Sequence, residues 1–349
     1  MAAENKQYGV MLVGCGHIGE QHLQDIYYRE NIRITALADL NEERARLLAA
    51  KYGRGAAAGA DYRNFLSDPA TEIVIIATNA NSHTAILEDC LAAGKHVLCE
   101  KPIATTLEEG RRFCELARRG PGKVLVAHVL RHNATYRKVA ALIRQGAVGR
   151  LKLMRMIQNH HTMDWPRYAG LLRDCSPVVD CGVHYFDVMQ WFTGSRITEV
   201  SGFSTWLERE EPLGMHDNYG HVHVRLENGC TGYYEAGWSR HLASCNIKEF
   251  IGDAGRITIT LRDNRTADRE EGDLITLYDG ENYTLFNQEA VYKNMYGQLL
   301  TLIGMIEEDK PAVPALHDVY SAFAAACSAE EAMKTGQWVR VSGDADSER

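Results

Sequence analysis

No stretch of this 349-residue chain holds the ~18 to 20 consecutive apolar residues that a helix needs to cross a bilayer, which excludes a helical membrane span. The opening residues, MAAENKQYGVMLVG, lack a basic segment leading into an apolar one, so no secretory signal is read and a cytoplasmic location is expected. There is no Lys/Arg-rich block, and the formal net charge is −8. A nucleic-acid partner would want a basic footprint on which to neutralise phosphates, so none is expected. The nine cysteines include no C-x-x-C pair. Cys15, Cys90, Cys99 and Cys114 fall in apolar or helical patterns, where a thiol serves as a small hydrophobe, and reduced structural thiols are expected. The chain shows no internal repeat and no low-complexity tract; only its last residues, GDADSER, read as a solvated tail.

What is present is the composition of a soluble globular protein, 45% apolar and 24% charged. The length suits two domains, each with its own core. In YGVMLVGCGHIGEQHLQDIYY an apolar strand turns through Gly14, Gly16 and Gly19 into a helical pattern, which is G-x-G-x-x-G in its required context. Gly14 permits the turn, Gly16 lets the backbone approach a pyrophosphate, and Gly19 lets helix and strand pack closely. The phosphates would rest on the N–H groups of the helix N-terminus, the stretch Cys15, His17 and Ile18 included. A second strand, IRITALAD, ends on Asp39, twenty residues past Gly19, where a carboxylate meets the adenosine ribose and where Leu40 follows. A 2′-phosphate would meet negative charge there, so Asp39 favours NAD over NADP. The alternatives are that Asp39 caps the helix LNEERARLLAAKYG, and that Arg44 and Arg46 hold a phosphate.

Further strand–helix pairs follow in TEIVIIAT–HTAILEDCLAAG and KHVLCEKP–TLEEGRRFCELARRG, with a last strand in KVLVAHVL. Short apolar strands alternating with amphipathic helices predict a parallel sheet covered on both faces, a Rossmann-type domain over residues 1–128. Its ligand belongs at the C-terminal ends of the strands, where Gly14, Asp39, Thr78, Glu100 and Lys101 fall.

A dinucleotide domain needs a reaction, and the plainest is hydride transfer to or from a carbon bearing oxygen. Oxidising an alcohol also releases a proton, so a general acid/base is required. Lys101 stands at the right end of its strand, with Pro102 fixing φ and denying it the helical region. Its ordinary pKa of about 10.4 would fall beside a positively charged nicotinamide and with partial burial. A solvated strand end is the alternative. Downstream, CSPVVDCGVHYFDVMQWFTG reads as one helix with Ser176 as N-cap, Pro177 at its first position and Gly194 past its end. At about 100° per residue, Asp180, His184 and Asp187 fall at about 0°, 40° and −20°, a polar stripe on an apolar helix. An Asp at i and a His at i+4 can touch, fixing one tautomer and raising the ring's basicity, which makes His184 a second acid/base candidate. An Asp–His pair satisfied inside a domain interface is the alternative. No third ligand at a diagnostic spacing accompanies the pair, so no metal is expected. His221 and His223 lie at i, i+2 on one strand face of a hairpin that turns at Asn228-Gly229.

With these residues identified, the chain resembles the Gfo/Idh/MocA oxidoreductases, the family of glucose-fructose oxidoreductase and inositol dehydrogenase. The resemblance runs from about Tyr8 to Val341 and rests on VGCGHIGEQH, ALADLNEERA, ATNANSHTAILEDCLAAGKHVLCEKP, LIRQGAVGRL and VVDCGVHYFDVMQWFTG. It implies Lys101, Asp180 and His184 as the catalytic set, with His184 the proton acceptor and Asp180 orienting it or holding a neighbouring hydroxyl. It places Thr78, Asn79, Asn81, His83, Glu100 and Arg131 on the cofactor side. One departure stands out: where many members have a glycine run, this chain has DCSPVVD, so Ser176 and Pro177 would stiffen one wall of the pocket.

Beyond the crossing helix, RLKLMRMIQ, ITEVSGFSTWLE, YGHVHVRLENGCTGYYEAGWS, CNIKEFIGDAGRITITL and LITLYDGENYTLF alternate at period two. They predict an α+β substrate and oligomerisation domain over 129–349, with a large, mostly antiparallel open sheet. Its free face would be covered by a second subunit, in a homodimer or homotetramer. His160, His161, Asp164 and Trp165 are placed in a loop lining the pocket, with Trp165 a platform for a sugar ring or else core packing, and Tyr296 is a further substrate candidate. The expected activity is NAD-dependent transfer of a hydride between a secondary hydroxyl of a sugar, sugar derivative or cyclitol and the nicotinamide. A glycosidase- or lyase-type enzyme that oxidises, eliminates and reduces with tightly bound NAD is the alternative, and a non-catalytic NAD or sugar sensor a third.

Overall fold

A computed structural model describes residues 6–209, 213–262, 272–289 and 293–343; most of the expected C-terminal tail, GDADSER, lies outside them. Contacts divide the chain into two compact units, one running to Val129 and including Asn294–Leu316, the other formed by Leu130–Lys293 and the residues from His317 onward.

In the first unit the elements alternate as β1 (Tyr8–Val13), α1 (His17–Ile26), β2 (Ile32–Ala38), α2 (Glu42–Tyr52), β3 (Ala57–Gly59), α3 (Arg63–Leu66), β4 (Ile73–Ile76), α4 (His83–Ala92), β5 (His96–Cys99), α5 (Leu107–Arg119) and β6 (Val124–Val126). The strands form a parallel sheet in the order β3-β2-β1-β4-β5-β6. The chain reverses its direction of travel between β1 and β4, which opens a crevice at their C-terminal ends. Every residue of β1 and β4 is buried, as strands covered by helices on both faces must be. The helices carry their own start signals: Asn41 accepts from the Arg44 amide and Thr106 from the Glu109 amide.

The second unit holds α6 (Ala134–Arg144), β7 (Leu151–His161), α7 (Trp165–Leu171), α8 (Pro177–Asp180), α9 (Gly182–Thr193), β8 (Ile197–Thr205), β9 (Tyr219–Leu226), β10 (Thr231–Ser239), β11 (Cys245–Gly252), β12 (Arg256–Thr260), β13 (Asp273–Tyr278) and β14 (Tyr283–Gln288). After α10 (Met295–Glu308), α11 (Leu316–Thr335) and β15 (Val339–Arg340) complete it. Its nine-stranded sheet runs β14-β13-β12-β11-β7-β10-β9-β8-β15, antiparallel throughout except for the β7–β10 pair. Phe250 of β11 meets Phe192 of α9 edge to face at 4.9 Å, so the helices cover that face. On the other face Phe203, His223, Arg225, Tyr283 and Leu285 are exposed.

By its contacts α10 belongs to the first unit: Leu299, Leu302, Ile303 and Met305 join the core that holds Leu23, Ile26 and Tyr8. One expectation is corrected here. Strand β7 runs on to His161, so His160 and His161 lie on a strand, in register with Trp238 and Ser239 of β10. No helix among the described residues is long and apolar enough to cross a membrane.

Candidate active site

The cofactor edge of the first unit is made mostly of backbone. Gly14 takes φ +94°, closed to side chains without strain, and follows directly on β1. A Cβ on Gly19 would lie 2.0 Å from the Gly14 carbonyl oxygen, so only glycine allows α1 to pack this close to the turn. Above Gly16 a Cβ would meet nothing within 4 Å, and Gly16 is the N-cap of α1, making no side-chain capping bond. This is a cradle of the shape and polarity that a pyrophosphate requires, and the residues present fit NAD.

Asp39 does not cap α2; Asn41 does. The Asp39 carboxylate instead accepts from the Cys15 amide at 2.7 Å and the Asn41 amide at 2.8 Å, which leaves each oxygen a lone pair for a ribose hydroxyl. Leu40 beside it is 97% exposed. Arg44 donates from Nε to the Cys15 carbonyl, while Arg46 pairs with Glu42 on the outer side of α2. His17 opens α1 with its ring 3.0 Å from the Gln21 amide group, and Ile18 follows half-buried. Burial pushes the Cys15 thiol up to about 12, with Asp39 adding to the rise, so it is inert.

At the end of β4, the Thr78 and Ser82 hydroxyls share a hydrogen bond of 2.7 Å, Asn79 begins the following turn, and Asn81 is exposed. The corner after β5 is braced by two histidines. Glu100 is 2.8 Å from Nε2 of His22, a fully buried residue of α1. His83 is also fully buried, with its ring nitrogens 2.9 Å from the Pro102 carbonyl oxygen and 3.0 Å from that of Thr78. Burial lowers its pKa against the pull of those carbonyls. His83, expected on the cofactor side, braces the corner through both ring nitrogens. Lys101 is half-buried at this corner, and the Lys101–Pro102 peptide is cis.

His22 escaped the sequence reading, although a signal existed: it shares the buried face of α1 with Gly19, Leu23 and Ile26, and a histidine there needs a partner. Tyr296, the further substrate candidate, lies on α10. Its hydroxyl donates to Asn31 at 2.8 Å and its amide to Asp25, beside the start of β2. That is the N-terminal edge of the sheet, at the other end of its strands from Gly14 and Asp39.

In the second unit the expected single helix is two. Ser176 caps α8, accepting from the Val179 amide, and Pro177 is its first residue. Cys181 interrupts the helix, and α9 begins at Gly182 against the Tyr234 ring and ends before Gly194. Asp180 and His184 flank the break, both half-buried. The third member of the stripe is engaged inside the protein. Asp187 is 1% exposed and takes Arg131 bidentately at 2.8 and 2.7 Å. Arg131 also reaches Asp318 at 3.3 Å and lies over the Trp191 ring. Arg131, expected on the cofactor side, is thus also the counter-ion of a buried carboxylate.

Around this pair, Ser176 donates to Glu330 of α11 at 2.5 Å, and His216 bonds the other oxygen of that carboxylate at 2.7 Å. Burial pushes Glu330 up, but His216 and Ser176 outweigh it and hold the carboxyl at about 2. Lys248 is fully buried; its ammonium donates to the Ile157 and Ile247 carbonyls and to Asn246, 4.6 Å from the Tyr185 ring centre. Burial brings it down to about 7, against the pull of Cys245 and Cys181. Burial, then Lys248, lowers the pKa of His160. Trp165 opens α7, edge to face with Trp206 at 6.0 Å, and Asp164 precedes it as N-cap. His161 is exposed, its Nδ1 3.2 Å from the Leu242 carbonyl oxygen. Among the described residues no cluster of three metal-ligating side chains occurs.

A glycine cradle at the switch point of a parallel sheet, an acidic residue after β2 and a second α+β unit define an NAD-binding oxidoreductase of the Rossmann type. The family described as an oxidoreductase family with an NAD-binding Rossmann fold matches residues 8–128, and the Gfo/Idh/MocA C-terminal domain matches residues 136–258. The chain belongs to the Gfo/Idh/MocA oxidoreductase family, and its cofactor is NAD. It is 22% identical over 342 residues to the myo-inositol 2-dehydrogenase of Thermotoga maritima, covering 95% of this chain and 97% of that one. With the inositol 2-dehydrogenase of Pseudarthrobacter chlorophenolicus it shares 30% over 223 residues, 63% of this chain and 64% of the relative. In fold it is similar to the aldose-aldose oxidoreductase of Caulobacter crescentus, solved with glycerol, at a TM-score of 0.83 and 18% identity over 96% of this chain and 100% of that one.

Proposed function

We propose that this protein oxidises a secondary hydroxyl of a cyclitol, sugar or sugar derivative, with Lys101, Asp180 and His184 handling the proton. The observation that carries the reading is the division of labour on α8 and α9. Asp187 is locked to Arg131 in the interior, while Asp180 and His184 stay half-buried on either side of the Cys181 break, where a ligand can be met. The inositol dehydrogenases among the relatives support the substrate class. Bound NAD supplies the hydride acceptor. The Lys101 ammonium donates a hydrogen bond to the reacting oxygen and the His184 ring takes the hydroxyl proton. The carbon-bound hydrogen then departs with its electron pair and a carbonyl forms. Asp180 orients the His184 ring or holds a neighbouring hydroxyl. The exposed sheet face around Phe203 and Leu285, 61% and 63% exposed, is read as the surface that a second copy of the chain covers.

Purified protein with NAD, screened against inositols, hexoses and glycosides, is expected to raise the reduced-nicotinamide absorbance. Lys101→Ala and His184→Ala should each lower kcat/KM by roughly 10²- to 10⁴-fold. Undiminished turnover in both variants would sink the assignment.

A further inference from the structure

Asp180 and His184 stand on different helices, and the two helices are not equally able to hold themselves. α9 runs for 12 residues with Val183, Tyr185 and Phe186 among its buried side chains, so its own core face sets the place of His184. α8 is a single turn of four residues. Within it the Asp180 amide donates to the Ser176 carbonyl at 3.0 Å, and the Cys181 amide to that of Pro177 at 3.1 Å. A lone turn fixes several dihedrals for very few hydrogen bonds, so tertiary contacts must hold it in place.

Those contacts come from α11 and β9. A Cβ on Gly220 of β9 would lie 3.0 Å from Val178 Cγ2 and 2.7 Å from Met333 Sδ, so α8 and α11 close on the strand at one point. The polar fastening is stronger and more directional. Ser176, 2% exposed, donates its hydroxyl to Glu330 Oε2 at 2.5 Å, and the same oxygen accepts from the Val179 amide at 3.4 Å. The second oxygen of Glu330 is 2.7 Å from His216 Nδ1 and 3.3 Å from Lys334 Nζ. His216 is tied in turn through its amide to the Leu172 carbonyl at 2.9 Å, just past α7. Against burial, which would raise it, His216 and Ser176 hold the Glu330 carboxyl at about 2, so at neutral pH it is a charged acceptor. A hydroxyl bonded to a carboxylate makes roughly twice as strong a bond as one on a neutral acceptor. Glu330 itself is carried on a 20-residue helix that buries Phe323, Ala326 and Ala329. A glycine at position 176 could make neither of the serine's bonds.

We propose that Glu330, acting through Ser176, is the positioning residue for Asp180, so that the acidic member of the reacting pair is set from α11 while His184 is set by α9. This rests on the dehydrogenase reading above, in which Asp180 belongs to the catalytic set.

Amide hydrogen exchange read by mass spectrometry tests the fastening without turnover, comparing peptides over residues 176–181 with those over 182–193. Exchange in α8 should quicken at least tenfold in Ser176→Ala and in Glu330→Ala, while α9 stays within about twofold of wild type. Ser176→Thr keeps the hydroxyl and should restore most of the protection. Turnover of the inositols, hexoses and glycosides above then tests the link to Asp180. Ser176→Ala should lower kcat/KM about tenfold and Ser176→Thr should regain most of it. In an Asp180→Ala background Ser176→Ala should change kcat/KM by less than about twofold, because the group it positions is gone. An equal loss in both backgrounds, undiminished turnover in Ser176→Ala, or α8 and α9 exchanging no differently from each other reduces Glu330 to a stability contact alone and overturns the proposal. Selective exchange of α8 without reduced nicotinamide from any compound upholds the fastening and sinks the dehydrogenase reading instead.

Discussion

Backbone makes the cofactor edge of the first unit: a positive-φ glycine, a close helix–strand approach at Gly19, and open ground over Gly16 at the N-terminus of α1. The Asp180–His184 face of the second unit is made by side chains that arrive from far along the chain. Arg131 reaches Asp187 across 56 positions, and Glu330 reaches Ser176 across 154. A site made of backbone is specified by the order of neighbouring residues. A site made of side chains is specified by packing, and each member is fixed by a partner whose loss exposes an unpaired charge or an unfilled bond.

The largest way to break this contrast is at the buried ion pair. Arg131→Ala leaves Asp187 charged and buried, and about 3–5 kcal/mol of stability should be lost in urea denaturation at pH 7. If the variant instead unfolds within ~0.5 kcal/mol of wild type, Arg131 is not what holds Asp187 and the account of the stripe is wrong.

Glu330→Gln comes next. The folded carboxyl sits at about 2 against an ordinary 4.5, so its ionised form is favoured by folding. The contribution is complete above pH 4.5 and is lost as pH falls through about 2, because the folded state then binds the proton that the unfolded state already holds. At pH 7 the variant should be less stable by on the order of 3 kcal/mol, and the gap to wild type should narrow between those two pH values. A gap that does not change with pH would assign the loss to packing rather than charge.

Gly19→Ala probes the backbone-built edge. With a Cβ against the Gly14 carbonyl, α1 must move off the turn, and calorimetric NAD affinity should fall at least tenfold, about 1.4 kcal/mol. Unchanged affinity would mean that this turn is not where the pyrophosphate rests.

The smallest effect is expected from Tyr296→Phe. It removes the bond to Asn31 at the far edge of the sheet, so stability should drop by about 1 kcal/mol with KM unchanged for any substrate turned over. A raised KM would return Tyr296 to the pocket.

The sequence alone determined the parallel sheet, the glycine turn and its acidic follower, NAD as cofactor, the period-two strands of the second unit and the caps at Ser176 and Gly194. Each is written in fewer than about thirty consecutive residues, within reach of backbone sterics and local hydrogen bonds. Where the reading failed, non-local contacts had decided. The apolar face of α10, Leu299 to Met305, is equally periodic whichever core it joins, and it joined the first. Arg131 and His83 carry the chemistry of ligand-binding residues, and only packing showed that Asp187 and two carbonyl oxygens also engage them. The stripe of Asp180, His184 and Asp187 was legible as a stripe, but its division into one buried counter-ion and two half-buried groups was not. A charge pair forms when two distant segments pack against each other, and the free energy of that packing belongs to the folded chain rather than to any local pattern within it.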